Sequence, residues 1–473
     1  MLKKDNEVFL VFGNSLASLI STYVLSVNKK RKIYLINPKK SWGGHFNTPI
    51  IKNKKFDPGM FLFEFDGFTK ENSLNPKFYD LKKFSNTQLY SSKIRNFINT
   101  FIKTVKIQPV LFYYNKNFYN DYLISNDLEF LKKDIHGKKI FSEVSKINIK
   151  KLKSQNIHAS QKRKSSKFDK ISFNTVSIAN HGPTFHRLFI EQFCQKVFND
   201  STKNIIAKFH RACWLPLFWP ETISNLFIKK KSIKATNFEY SLSDVATSVT
   251  SNILKKICKV KNIKIIYIND QTNTQTNNNF FLKNKIIKFR NHVVPLKNFI
   301  FGGDQNDFLH IKNIFLNQNF EKASIGIFYL ITKKSNLLKN FSIINFIDKD
   351  ISFYRITNQS SVEKNNNEVK LSVEFNIDYL NRLNKKKIKI EKLLLNHLNK
   401  LSIFKCIKDI QHELRIYNKA LLKPTLMNSI NYNYNYKKMK VFLYKKNIIG
   451  PSAGFYKYSF NDQVIQGIKY EKK

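Results

Sequence analysis

Three short segments carry the residue types that could bind a diphosphate and a planar ring. The first, Gly13-Asn14-Ser15-Leu16-Ala17-Ser18, follows the apolar run Val8-Phe9-Leu10-Val11-Phe12. In a dinucleotide turn the first of three spaced positions makes the tight bend. The second lets the backbone approach a pyrophosphate, and the third lets the helix pack close to the strand. Those positions are Gly13, Ser15 and Ser18. Free N–H groups and the helix dipole favour a diphosphate there. The second segment, Gly43-Gly44-His45, lies just past a second apolar run, Ile33-Tyr34-Leu35-Ile36. Asn37 closes that run, where an acidic residue would hold a ribose hydroxyl pair; its amide oxygen accepts one such bond without charge assistance. The third segment is a turn at Gly450–Gly454, followed by Tyr458-Ser459-Phe460-Asn461-Asp462, where a last helix opens and Ser459 with Asp462 forms a capping box.

The elements needed to position these residues are legible. Strand, turn, helix through Val27 and strand 33–36 make an opening βαβ unit. Residues 244–260 read as a helix, 263–268 as a strand, 269–279 as a polar turn, and 280–282 with 286–289 as short strands. A strand over 298–304 ends at Gly302-Gly303, which is how a dinucleotide domain resumes after an insertion. Between these parts, 84–105 and 186–198 have helical spacing, 215–228 is apolar with two prolines, and 151–170 reads as an exposed polar loop or helix-flanking insertion. Residues 326–332, 342–347, 352–357 and 369–377 read as an antiparallel sheet, with a helix at 388–401 and a final helix at 460–470.

The formal charge of +49 invites a nucleic-acid reading. Only nine of the 82 basic residues are Arg, Gly is scarce at 13, and Lys is spread along the whole chain. That is the imprint of AT-rich codons, so no specific nucleic-acid partner is expected, although a positive field would draw an anionic or diphosphate-bearing small molecule. Four Cys without CxxC spacing and no His cluster give no metal site and fit a reducing, cytoplasmic setting. Residues 8–27 follow Lys3 and Lys4 like a signal anchor, but Asn14, Ser15, Ser18, Ser21 and Thr22 interrupt them, and no transmembrane segment is expected. Peripheral membrane contact stays open.

The order Gly13 turn, Ile33–Ile36, Trp42-Gly43-Gly44-His45-Phe46, Phe56-Asp57-Pro58-Gly59, then Gly450–Gly454 and Tyr458–Gly467, resembles the flavin-binding amine-oxidase-like superfamily. That group includes UDP-galactopyranose mutase, protoporphyrinogen oxidase and phytoene desaturase. The resemblance implies an α/β fold: a Rossmann-like FAD-binding domain (GR2-type) with an inserted α+β substrate domain containing an antiparallel sheet. It implies FAD-domain parts at 1–65, 236–310 and 431–473, a mainly helical cap at 66–235, and a substrate domain at 311–430. The implied cofactor is FAD, held by Gly13, Ser15, Ser18, Asn37, Gly43, Gly44, His45, Gly454, Asn461 and Asp462. The implied activity is an oxidoreductase or a mutase, and Gly43-Gly44-His45 leans toward nucleotide-sugar or polysaccharide-precursor chemistry.

His45, Arg355 and Tyr417 are the side-chain candidates near the reaction. Arg355 could clamp a diphosphate or carboxylate bidentately. His181, His210 and Arg211 are dense in functional types but read better as packing groups. Two rivals remain: a fold that has lost FAD and serves as a binding or scaffold protein, motivated by Ser15, Ser18 and Asn37, and a basic nucleic-acid binder.

Overall fold

The structure is a computed structural model describing residues 7–65, 91–107, 109–124, 127–161, 166–228, 239–268, 280–283, 285–360, 367–384 and 386–472. The expected turn at 269–279, and the start of the expected helix at 84–105, lie outside the described residues.

The unbroken apolar run near the N-terminus forms β1 (Glu7–Phe12), buried from Phe9 onward, as a central parallel strand should be. α1 (Leu16–Ser26) follows and then β2 (Arg31–Asn37). Residues 8–27 are thus a strand and a helix, not an anchor. Much further along come α2 (Ser248–Cys258), β3 (Ile263–Tyr267) and β4 (Phe299–Phe301). The four strands form one parallel sheet in the order β3-β2-β1-β4. The order reverses beside β1, so the crevice at the strand ends opens between β1 and β4.

One face of this sheet carries α1, α2 and α4 (Phe460–Ile468), which share a core with Val11, Ile33 and Leu35. The other face meets a three-stranded antiparallel sheet, 280–283, 286–289 and 292–295, and the inner side of α3 (Leu426–Phe442). Neither the strand at 292–295 nor α3 was expected.

The second body is a seven-stranded sheet in the order 411–422, 322–333, 368–376, 355–358, 343–346, 110–114, 117–120. It holds the four expected strands. It is not wholly antiparallel, because Ile343–Phe346 runs parallel to Val110–Tyr114. The strand at 411–422 shows no clean alternation and was missed. Residues 84–105 do not form one helix: Ser91–Asn99 is helical and Val105–Lys106 joins a small sheet. The polar stretch 151–170 is not simply an exposed loop. Ile149–Ser154 is helical, and Leu152, His158 and Phe168 are buried. Lys151, Lys153, Lys167, Asp169 and Lys170 are exposed while a few apolar residues, widely spaced, anchor it.

The helical layer over this sheet is centred on a long bent helix: Phe173–Phe185, a π-helical turn His186–Glu191, then Gln192–Phe198. Gly182-Pro183 supplies the bend. A buried polar chain runs along it. The Phe218 N–H donates to His181 Nε2 (2.8 Å), so His181 donates from Nδ1 to Ser177 Oγ (3.1 Å). Ser177 donates to His186 Nδ1 (2.9 Å), His186 Nε2 donates to Thr202 Oγ1 (3.2 Å), and Thr202 donates to Glu191. Burial, with the facing His186, holds His181 down at about 3; burial holds His186 at about 4 against the pull of Glu191.

Both histidines therefore stay neutral while the unfolded chain takes up protons near the ordinary value of 6.5. Stability is expected to fall as pH drops from 6.5 toward 4, the range in which only the unfolded histidines bind protons. Urea unfolding across that range measures it, and His186→Gln, which keeps a donor and an acceptor, should show a shallower fall.

Candidate functional site

The turn after β1 is built as the sequence suggests. Gly13 has φ +123°, and a Cβ there would stand 2.3 Å from the Gly303 nitrogen, so only glycine fits. Ser15 caps α1, its Oγ accepting the Ser18 N–H at 3.2 Å and lying 3.0 Å from Ser18 Oγ. The small size that the usual fingerprint places at those two positions is supplied by the neighbours instead. A Cβ on Gly302 would lie 2.1 Å from Ser18 Oγ, and one on Gly450 would lie 2.6 Å from Ser15 Oγ. In α4, a Cβ on Gly467 would lie 2.5 Å from Ile20 Cβ.

This closeness has an electrostatic consequence. The Ala17 N–H donates to Gln463 Oε1 of α4 (3.2 Å), the Ser18 N–H is taken by Ser15, and Gly43 N–H donates to the Asn14 carbonyl (2.7 Å). Donors that would meet a diphosphate are engaged by the chain itself. Asn37 is buried and turned back on its own loop, Oδ1 accepting the Lys39 N–H (2.8 Å). Lys39 then reaches Asp304 and sits 3.4 Å from Asp307, tying the loop after β2 to the loop after β4. Burial works to lower the Lys39 pKa, but the two carboxylates outweigh it and raise it. Burial and the Asp304 charge push Asp307 up to about 6.

The other end is open. Gly44 has φ +59°, and nothing lies within 4 Å of where its Cβ would be. His45 beside it keeps much of its surface accessible, so the turn presents an open face. Tyr458, partly accessible, stands across from it, ring centroids 6.0 Å apart at 83°. Burial lowers His45 to about 4, against the pull of the Tyr458 carbonyl, so the imidazole is neutral. Phe46 packs edge-on to Phe460 at 5.2 Å, which sets this turn against the start of α4. There Ser459 accepts the Asp462 N–H (3.2 Å) and donates to its carboxylate (2.7 Å), the expected capping box.

The segment that follows this turn is pinned from two sides. Asp57 accepts from the Ala246 N–H (2.8 Å), the Thr247 N–H (2.7 Å) and the Thr247 hydroxyl (2.7 Å) just ahead of α2. Burial still pushes it up to about 6 against those three donors. Gln359 clasps the Asp57 main chain, accepting its N–H (2.8 Å) and donating to its carbonyl (3.1 Å). Glu374 accepts the Met60 N–H at 3.0 Å, and Arg355 Nη1 lies 3.6 Å from the same carboxylate. Arg355 is buried, donates from Nε to Asn345 (3.1 Å) and lies over the Trp214 ring. It is thus held within the protein rather than presented as an open clamp.

The structure brings together Gly13, Ser15, Ser18, Gly43, Gly44, His45 and the start of α4, with Asn461 and Asp462. Gly454 accepts from the Lys457 N–H (3.0 Å) in the turn leading to them. Tyr417 is elsewhere on the large sheet, its hydroxyl 3.4 Å from that of Tyr329. His210 bonds the Leu215 carbonyl (2.7 Å) and stacks on Phe173, a packing role. Sequence reasoning did not single out Tyr458 or Gln463 as site residues. Their only signal was position, one just before α4 and one on its first turn.

A βαβ turn, a returning parallel strand and a C-terminal helix meeting at one crevice define a Rossmann-like, dinucleotide-type fold. Comparison with solved structures makes it particular: the chain shares its fold, over nearly its full length, with a UDP-galactopyranose mutase and with amine and porphyrinogen oxidases. A reduced UDP-galactopyranose mutase aligns with a TM-score of 0.63 at 12% identity, over 99% of this chain and 95% of the other. A putative protoporphyrinogen oxidase from an Exiguobacterium species aligns at 0.60 and 9%, over 98% of each. Putrescine oxidase bound to putrescine aligns at 0.54 and 8%, over 99% and 98%. No protein-family profile matches the chain, and no curated protein sequence does.

The residues fit a flavin ring at the open end more readily than they fit its dinucleotide tail at the capped end. Ser15→Gly frees the Ser18 N–H at a cap cost of a few tenths of a kcal/mol. It is expected to tighten FAD binding about tenfold with little change in melting temperature, as read by calorimetric titration. Arg355→Met leaves Glu374 buried without its cation and should cost about 3–5 kcal/mol in urea unfolding.

Proposed function

We propose that the open face at Gly44, His45 and Tyr458 takes the ring of a flavin, and that the chain is an FAD-dependent oxidoreductase or mutase acting on a small molecule. The observation that carries the reading is His45, accessible at the start of the crevice next to a glycine with open space above it. Its partner observation is the fold, shared over nearly the full length with UDP-galactopyranose mutase and two oxidases. When bound, FAD supplies hydride or reduced-ring chemistry that no side-chain arrangement here offers.

The chain's own residues hold and orient. Gly13, Ser15, Ser18 and Asn37 stand at the dinucleotide end, and Gly43, Gly44 and His45 at the ring. Gly454, Asn461 and Asp462 shape the start of α4, whose positive dipole end favours negative charge on a group bound beside it. His45, neutral with a pKa of about 4, can direct a hydrogen bond without adding charge. Arg355 acts as a positioning residue through Glu374 and the Met60 main chain. Tyr417 stands on the large sheet beside Tyr329. The Gly43-Gly44-His45 pattern, the net charge and the mutase-like fold together support an anionic substrate of the nucleotide-sugar or polysaccharide-precursor class.

The test is the visible spectrum of the purified full chain, before and after incubation with FAD. Flavin bands that bleach with dithionite and shift in His45→Phe are expected. A colourless protein that takes up no FAD overturns the reading. It would support instead a binding protein that keeps the fold, the alternative favoured by the capped first turn of α1.

A further inference from the structure

α3 buries amides and leaves several large apolar side chains exposed. Its inward face is largely amide: Asn428 and Asn435 are buried with Tyr432 and Met439. Asn428 accepts the Glu321 N–H (2.9 Å) and donates to the Glu321 carbonyl (2.8 Å). Asn435 does the same to Asn317, at 2.8 Å each way, and Asn431 donates to the Asn319 carbonyl (2.9 Å). The inward face thus holds the extended segment 317–321.

The outward face mixes lysine with large apolar side chains. Met427, Ile430, Tyr434 and Val441 fall at helical spacing and are 57%, 53%, 47% and 79% exposed, with Lys437 among them. Phe315, 79% exposed, adjoins them: Lys438 Nζ donates to the Phe315 carbonyl (3.1 Å) and lies 4.7 Å from the Tyr434 ring centre. Exposed large apolar side chains gathered in this way mark an interaction surface.

Charge decides what covers it. No Asp or Glu occurs between Glu413 and Asp462, while Lys437 and Lys438 lie between Tyr434 and Val441, with Lys440 beside them. Past the helix end, Lys445, Lys446, Lys457 and Lys469 line a hollow of about 530 Å³ with Tyr436 and Tyr444. A second copy of this chain would set lysine against lysine. An anionic lipid surface offers phosphate for the lysines and acyl boundary for Met427, Ile430 and Val441. Among the described residues no helix is long and apolar enough to cross a membrane. We propose that α3, with Phe315, docks the protein in the plane of an anionic phospholipid surface. This does not depend on the flavin reading.

The experiment is co-sedimentation of the full chain with vesicles of phosphatidylcholine alone or mixed with phosphatidylglycerol. Binding to the anionic vesicles only, weakened by salt, is expected. Ile430→Glu with Val441→Glu, both exposed, should lower the bound fraction about tenfold with an unchanged melting temperature. Three results would overturn the proposal. One is no binding to anionic vesicles at low salt. The second is equal binding by the double variant, which would assign the effect to diffuse lysine charge. The third is a dimer in sedimentation velocity that the double variant abolishes.

Discussion

The close approach of α1 to its neighbours is the constraint on which the rest depends. Gly302, Gly450 and Gly467 each leave no room for a Cβ against Ser18, Ser15 and Ile20. That contact brings three distant parts of the chain to one point: the opening turn, the end of β4, and the C-terminal turn with α4. Without it the start of α4 would not face the turn at Gly43–His45. The spare volume usually placed within the first turn has moved to the partners, so two serines are tolerated where glycines are customary.

The same tightness divides the site into unlike halves. At the α1 end the chain satisfies its own donors, through Gln463 and Ser15, and Lys39 closes the loops over Asp304 and Asp307. At the other end, Gly44 and His45 look into open space while Asp57, Gln359 and Glu374 fix the segment beneath. The buried Arg355–Glu374 pair belongs to that scaffolding. Its value lies in geometry, since a buried pair recovers little of its desolvation cost.

Much of this was legible in the sequence because it rests on local rules. The run 8–12, the Gly13 turn, the strands at 263–268 and 298–304, and the Ser459–Asp462 cap follow from periodicity and capping chemistry. What stayed hidden rests on tertiary context. α3 was missed because its apolar residues are spread around the helix and half of its buried face is asparagine, so no core stripe stands out. The strand 411–422 alternates poorly because it is an edge strand with much of both faces exposed. Arg355 could be read as a clamp because its type and strand were visible, whereas Glu374 and Asn345, its partners, lie at distances no spacing rule reaches.

The amides of α3 carry a wider consequence. Asn428 and Asn435 each grip both main-chain groups of one residue. The same two-handed grip recurs in Asn336 on Cys406, Gln359 on Asp57 and Asn384 on Ile388. Each such amide imitates a peptide unit, so a helix can stand in for a neighbouring strand. What is recognised is backbone, identical in every residue but proline. The gripped segments can therefore drift in side chain while their course stays fixed, which suits a chain whose codons push composition toward Asn and Lys.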